Sequence, residues 1–153
     1  MKQEKGFTII ELVIVMAIMV IIGGVAFTGF IPRERRELEQ TAIYIATDIR
    51  HIQEMAIQTN SAHFISFFPI ANTYETSIQE GHTLRVLTRR RLVNQDIALV
   101  TGVLGGVSQF KFTPRGTVTP AGRIIIQSQN YSIEMTINLG SGRVHIQDPI
   151  RRQ

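Results

Sequence analysis

Residues 5–30 read KGFTIIELVIVMAIMVIIGGVAFTGF, and this stretch decides how the rest of the chain is organised. Residues 12–27 carry no polar side chain at all. A helix over residues 7–30 rises about 36 Å at about 1.5 Å per residue, enough to cross a hydrocarbon core of about 30 Å. A soluble core helix can also be apolar on every side, but a run this long beside an N-terminus is better accounted for by lipid, and residues 7–31 are assigned to a transmembrane helix.

Ahead of the run stands MKQEKG, in which Lys2 and Lys5 outnumber Glu4. The positive-inside rule keeps this short end in the cytoplasm and sends the C-terminal bulk across the membrane. Secretory cleavage is not expected at Gly23-Gly24, because Val25 and Phe27 continue the apolar pattern where a small-x-small site is required. Glu11 is out of place: at a bilayer centre an acid costs roughly 2.5–3.5 kcal/mol, and less near an interface. Two accounts stay open, a side chain that snorkels to the cytoplasmic headgroups and one neutralised by a cation from another subunit.

The run Lys5-Gly6-Phe7-Thr8-Ile9-Ile10-Glu11-Leu12, followed by unbroken apolar sequence, closely resembles the class III leader and N-terminal helix of type IV pilins and type II secretion pseudopilins. The resemblance implies cleavage by a prepilin peptidase after Gly6, N-methylation of the new amino terminus at Phe7, and a role for Glu11 in docking and register against a neighbouring subunit's amine. In low dielectric such a close pair is far stronger than in water. One departure is Gly23-Gly24 where many major pilins carry a mid-helix proline. Glycine weakens helix by about 1 kcal/mol relative to alanine, so the pair either loosens the helix or lets neighbours approach closely.

Beyond Pro32, the stretch Arg33-Glu34-Arg35-Arg36-Glu37-Leu38-Glu39 balances three bases against three acids and marks the exit from the apolar segment. Leu38, Ala42, Ile45, Ile49, Ile52 and Ala56 then recur at steps of four and three, a one-sided helical stripe. Helix is expected to about Asn60, as the exposed half of one long helix, with Asn60-Ser61 as its stop. Downstream the period becomes two. Strands are predicted at 63–68, 74–78, 83–93, 97–101, 107–112, 123–127, 131–138 and 143–147, separated by Gly, Pro, Asn and Ser turns. The fold class is therefore α+β: a long N-terminal helix packed on a C-terminal antiparallel sheet domain. The expected division is a leader at 1–6, the transmembrane helix at 7–31, an amphipathic half at 32–60 and a β domain at 61–153. The late pattern Phe110-x-Phe112-x-Pro114-x-Gly116, Gly122-Arg123-Ile124-Ile125-Ile126, Tyr131-Ser132-Ile133 and Leu139-Gly140-Ser141-Gly142-Arg143-Val144 resembles H-type minor pseudopilins and minor pilins.

Composition narrows the chemistry. With 153 residues and no cysteine, the chain has room for one ordinary domain and no disulfide framework, Cys-ligated metal or thiol nucleophile. His51, His63, His82 and His145 show no metal-ligand spacing and are expected to be ordinary surface histidines, and no phosphate-binding loop motif is present. Glu134 and Asp148 do not form the acidic cluster that calcium requires. No catalytic set, metal site or cofactor is expected, so the chain is not read as an enzyme. The missing cysteines also remove the disulfide loop of many major pilins, which the resemblance turns into an argument for a minor subunit.

Charge is the remaining feature. Residues 32–79 hold four bases and six acids, whereas residues 80–153 hold ten bases and four acids. In a regular strand Arg85, Arg89 and Arg91 share one face, with Leu84, Val86 and Leu92 on the other. Such a face is either solvated or a sequence-independent footprint for DNA phosphates, although no aromatic residues are interleaved for base stacking. The expected function is a minor pilin or pseudopilin subunit for initiation or the tip of a type II secretion pseudopilus or type IV pilus. The alternative is a DNA-binding subunit of a competence pilus. The partners implied by the resemblance are the prepilin peptidase, other pilin or pseudopilin subunits and an inner-membrane assembly platform, with lipid holding the helix before assembly. The resemblance and charge pattern place the N-terminus in the cytoplasm and the β domain in the periplasm or outside the cell.

Overall fold

A computed structural model describes residues 8–27, 32–92, 96–102 and 109–152. It divides into two compact units, Met1–Pro32 and Arg33–Gln153. The first contains α1, Ile9–Phe27. Its 19 residues reach about 28 Å at about 1.5 Å per residue. Among the described residues, no helix is long and apolar enough to cross a membrane. The expected span, 7–31, includes residues 7 and 28–31, which lie outside the described residues.

The second unit is α2, Arg33–Gln58, laid across antiparallel strands. Pro32, which has no N–H, precedes the first helical residue. The buried residues of α2 are Leu38, Ala42, Ile45, Ile49, Ile52 and Ala56, the stripe expected from spacing alone. Burying each of the four larger side chains contributes about 1.5–3 kcal/mol. The helix stops at Asn60, in the left-handed region at φ 49°, where the Asn60 N–H reaches the Ile57 carbonyl and the Ser61 N–H that of Ala56, both at 3.3 Å. This is a Schellman cap, with asparagine supplying the left-handed residue.

Ten strands are described. One sheet has the order β3-β2-β1-β5-β6, with β1 His63–Phe68, β2 Thr73–Glu80, β3 Thr83–Arg91, β5 Gln109–Phe112 and β6 Val118–Thr119. The other has the order β10-β8-β7-β4, with β4 Ala98–Gly102, β7 Gly122–Gln127, β8 Tyr131–Ile137 and β10 Ile150–Arg151, and with β9, Val144–Ile146, also pairing β8. The β region is thus two antiparallel sheets sharing one helix. The inward residues of β1, Ile65 and Phe67, meet Phe110 and Phe112 of β5 and the α2 stripe, while Ile124, Ile126, Ile133, Met135 and Ile137 close the core from the second sheet. Phe67 and Phe110 meet edge to face at 6.1 Å, a favourable arrangement for aromatic quadrupoles.

The strand bounds follow the expected ones closely where residues are described, while 93 and 107–108 lie outside the described residues. The two-residue strands β6 and β10 escaped the sequence pattern, since two residues show no period.

Candidate functional site

At the start of the first unit, Gly6 and Phe7, the expected cleavage and methylation positions, lie outside the described residues. Thr8 is the helix cap: its carbonyl accepts the Glu11 N–H at 3.1 Å and the Leu12 N–H at 3.3 Å, and its Oγ1 lies 3.4 Å from the Glu11 nitrogen. Thr8-x-x-Glu11 has the spacing of a capping box, and Glu11 sits in the first turn, where the positive end of the helix favours a carboxylate. From Ile9 to Ile22 every large apolar side chain of α1 is exposed, including Ile9, Leu12, Ile14, Met16, Met19 and Ile22. An apolar surface that encircles a helix needs a cover of lipid or other helices.

The second unit is held to its own helix by three polar devices. At the start of α2, Glu34 Oε1 accepts the Asn130 backbone N–H at 2.8 Å and Oε2 accepts Asn130 Nδ2 at 2.9 Å. The Asn130 side-chain amide, and then its backbone N–H, hold the Glu34 carboxyl below the ordinary carboxylate range. In the middle of α2, Asp48 Oδ2 accepts the Tyr74 hydroxyl at 2.6 Å and lies 3.2 Å from Arg90 Nε. Burial first, and then this bond to Asp48, push the Tyr74 hydroxyl above its usual range.

Further along α2, Gln53 Nε2 donates to the Gly116 carbonyl at 2.6 Å and to the Ser141 carbonyl at 2.9 Å. This amide ties the helix to two turns of the β region. Gly142 admits it: at φ 65° a Cβ there would stand 2.6 Å from Gln53 Nε2, whereas a Cβ on Gly116, at φ 75°, would meet Ile57 Cδ1 at 3.0 Å. The Pro-x-Gly and Gly-Ser-Gly elements thereby acquire a shared physical role. Gln53 itself carried no signal in the sequence, since an amide on a helix flank looks like any solvated residue.

The basic strand departs from expectation. The register pairs Ile78 with Arg85, Ser77 with Val86, Thr76 with Thr88 and Glu75 with Arg89, so β3 has one extra residue at Leu87. This bulge reverses the face of everything beyond it. Ile78 and Glu75 are an odd number of residues apart on β2, so Arg85 lies on one face and Arg89 and Arg91 on the other, together with Leu84 and Val86. Arg85 Nε pairs with Glu80 at 2.6 Å, and Arg89 pairs with Glu75 across the strands. Arg91 is exposed and has no acidic partner among the described residues.

The expectation of four surface histidines is also corrected. His51, His82 and His145 are exposed, but His63 is 1% exposed. It opens β1 on the inward face it shares with Ile65 and Phe67, so strand alternation buries it. Its Nδ1 lies 3.1 Å from the Ser61 carbonyl, and Nε2 has no hydrogen-bonding partner among the described residues. Among the described residues no three His, Cys, Asp or Glu side chains come together as a metal site. A groove of about 1010 Å³ beside the first half of α2 is lined by residues including Arg33, Glu37, Tyr74 and Arg90. Their charges are spent on one another: Arg33 pairs with Glu37 at 2.6 Å, and Tyr74 and Arg90 share Asp48.

Residues 1–27 match the family model described as the prokaryotic N-terminal methylation motif. No curated protein sequence matches the chain. Among solved structures, the minor pseudopilin EpsH of the Vibrio cholerae type 2 secretion system is similar with a TM-score of 0.63 at 11% identity, over 73% of this chain and 97% of that one. The type IV minor pilin FimU of Pseudomonas aeruginosa is similar with a TM-score of 0.61 at 14% identity, over 74% of this chain and 90% of that one. The chain thus carries the prokaryotic N-terminal methylation motif over residues 1–27, and its fold is like that of the minor pseudopilin and minor pilin structures.

Proposed function

We propose that this chain is a minor pilin or pseudopilin subunit, cut after Gly6 by a prepilin peptidase, methylated on Phe7, and drawn from the membrane into a filament in which it serves initiation or the tip. The observation that carries the reading is α1: apolar and exposed around its circumference, with Glu11 in its first turn and inside the residues that match the methylation motif. In the bilayer, lipid covers this surface, with the N-terminus in the cytoplasm and the second unit on the far side. In the filament, neighbouring helices take the place of lipid, and the new Phe7 amine of an adjacent subunit neutralises Glu11. Association through an inner-membrane platform supplies the route between these two states.

The DNA-binding alternative draws no support from the basic strand. Arg85 and Arg89 are each held by a carboxylate on different faces, so the strand does not present the run of free cations that phosphate contacts require. The subunit reading is tested by expressing Glu11→Gln in a host with the cognate assembly machinery and measuring the fraction of chain in sheared filaments or cross-linked to other subunits. The expected result is loss of incorporation with unchanged far-UV circular dichroism. Wild-type incorporation of Glu11→Gln would sink the proposed role of the carboxylate.

A further inference from the structure

β3 is an edge strand: β2 pairs one side of it, no strand among the described residues pairs the other, and all 9 of its residues are exposed. Peptide N–H groups alternate between the two sides of an antiparallel strand, so the outward ones can be named. The Leu92 N–H bonds the Asn72 carbonyl at 3.1 Å on the β2 side, which turns those of Arg91 and Arg89 outward. The Gln79 N–H bonds the Ala62 carbonyl at 2.9 Å on the β1 side, so Ile78 exchanges bonds with its partner Arg85. Leu84 and Val86, on either side of Arg85, therefore also face outward.

The side chains of these four residues share the sheet face turned away from α2. Leu84 is 48% exposed and Val86 50% exposed. Ser77 lies between Val86 and Phe64 in the register, so the apolar strip continues across β2 to Phe64, over which Lys111 Nζ stands 5.7 Å from the ring centroid. Sheet edges are commonly blunted by unpaired charge. Here the chain's own carboxylates engage most of that charge: Glu80 holds Arg85, Glu75 holds Arg89 and Asp48 holds Arg90. Arg91 is left without an acidic partner among the described residues, at one end of the exposed ladder.

We propose that the β3 edge receives an extended acidic segment of another protein as an added antiparallel strand, with a carboxylate on Arg91 and alternate apolar side chains on Val86 and Leu84. In such an addition the main-chain hydrogen bonds supply affinity and the side chains at alternate positions supply specificity. A second copy of β3 does not fit the charge. The strand holds four arginines and no acid, and full antiparallel overlap of two copies sets Arg85 of one against Arg89 of the other. Like charges directly opposite destabilise a strand pair. The surface lies wholly within the second unit, so it holds whether or not α1 enters a filament.

The test titrates a fluorescein-labelled peptide, Glu-Thr-Ser-Thr-Val-Thr-Val, with the full-length chain in detergent and follows fluorescence anisotropy. Antiparallel addition sets the peptide's Glu opposite Arg91, its Ser opposite Arg89 and its Val residues opposite Val86 and Leu84, and these are the residues whose N–H groups point at β3. The expected result is saturable binding that is lost when the Ser and both Val residues are N-methylated and kept when the Thr residues are. Arg91→Glu, at an exposed position, should weaken binding at least about tenfold with unchanged far-UV circular dichroism, and a peptide with Lys in place of Glu should restore it. Equal binding of the two N-methylated peptides would refute strand addition in favour of charge attraction alone, and absence of saturable binding would refute the surface altogether. The chain has no cysteine, so an efficient disulfide dimer of Val86→Cys would give the edge to a second copy and likewise overturn the proposal.

Discussion

Gly142→Ala is a sharp probe of how α2 is fastened to the β region. At φ 65° the new side chain occupies a left-handed backbone, which costs a non-glycine residue roughly 1–2 kcal/mol. Its Cβ would also stand 2.6 Å from Gln53 Nε2, forcing the amide away from the Gly116 and Ser141 carbonyls. At about 0.5–1.5 kcal/mol per hydrogen bond, losing both adds about 1–3 kcal/mol. The total of about 2–5 kcal/mol corresponds to a fall in melting temperature of roughly 10–20 °C for a domain of this size. Gly140→Ala is the matched control, because Gly140 has φ 81° and nothing within 4 Å of its Cβ position, leaving backbone strain alone. Thermal unfolding of detergent-solubilised chain, followed by far-UV circular dichroism, should place Gly142→Ala clearly below Gly140→Ala. In a Gln53→Ala background the two should become equal. Equal effects in the wild-type background would refute the claim that the Gln53 amide is what Gly142 makes room for.

Two further predictions concern the second unit. Ile49→Ala removes a fully buried member of the α2 stripe and should cost about 2–5 kcal/mol, whereas Ile43→Ala, on the exposed side of the same helix, should stay within about 0.5 kcal/mol in denaturant unfolding. Tyr74 has a folded-state pKa raised above its unfolded value of 10.0, so its contribution is intact below that value and is lost as pH rises above it, when the unfolded chain ionises first. Stability measured between neutral pH and pH 11 should therefore fall more steeply in the wild type than in Tyr74→Phe.

Much of this fold was legible because hydrophobic period is a local signal. The α2 stripe could be read residue by residue from steps of four and three, and β1 from its alternation. What escaped depends on pairing between distant residues. The bulge at Leu87 exists only in the register between β2 and β3, and a single extra residue there separates Arg85 from Arg89 and Arg91. Charge pairing hides in the same way: Glu75 and Glu80 precede the arginines by several residues, and nothing local says that they face them. His63 was misplaced because a polar residue at a strand's first position looks solvent-facing until the strand's inward phase is known. For the N-terminal site, a short motif with Glu11 inside an apolar run was enough to suggest the family before any fold was visible, and Thr8 as its helix cap is the addition made by geometry.

The central claim, that the chain is a processed pilin-type subunit, is tested most directly by intact mass and N-terminal peptide mapping of membrane-extracted protein coexpressed with a prepilin peptidase. The account predicts a mature chain that begins at methylated Phe7, and a Gly6→Val variant that stays full length. A stable protein that keeps its leader in the presence of active peptidase would contradict it.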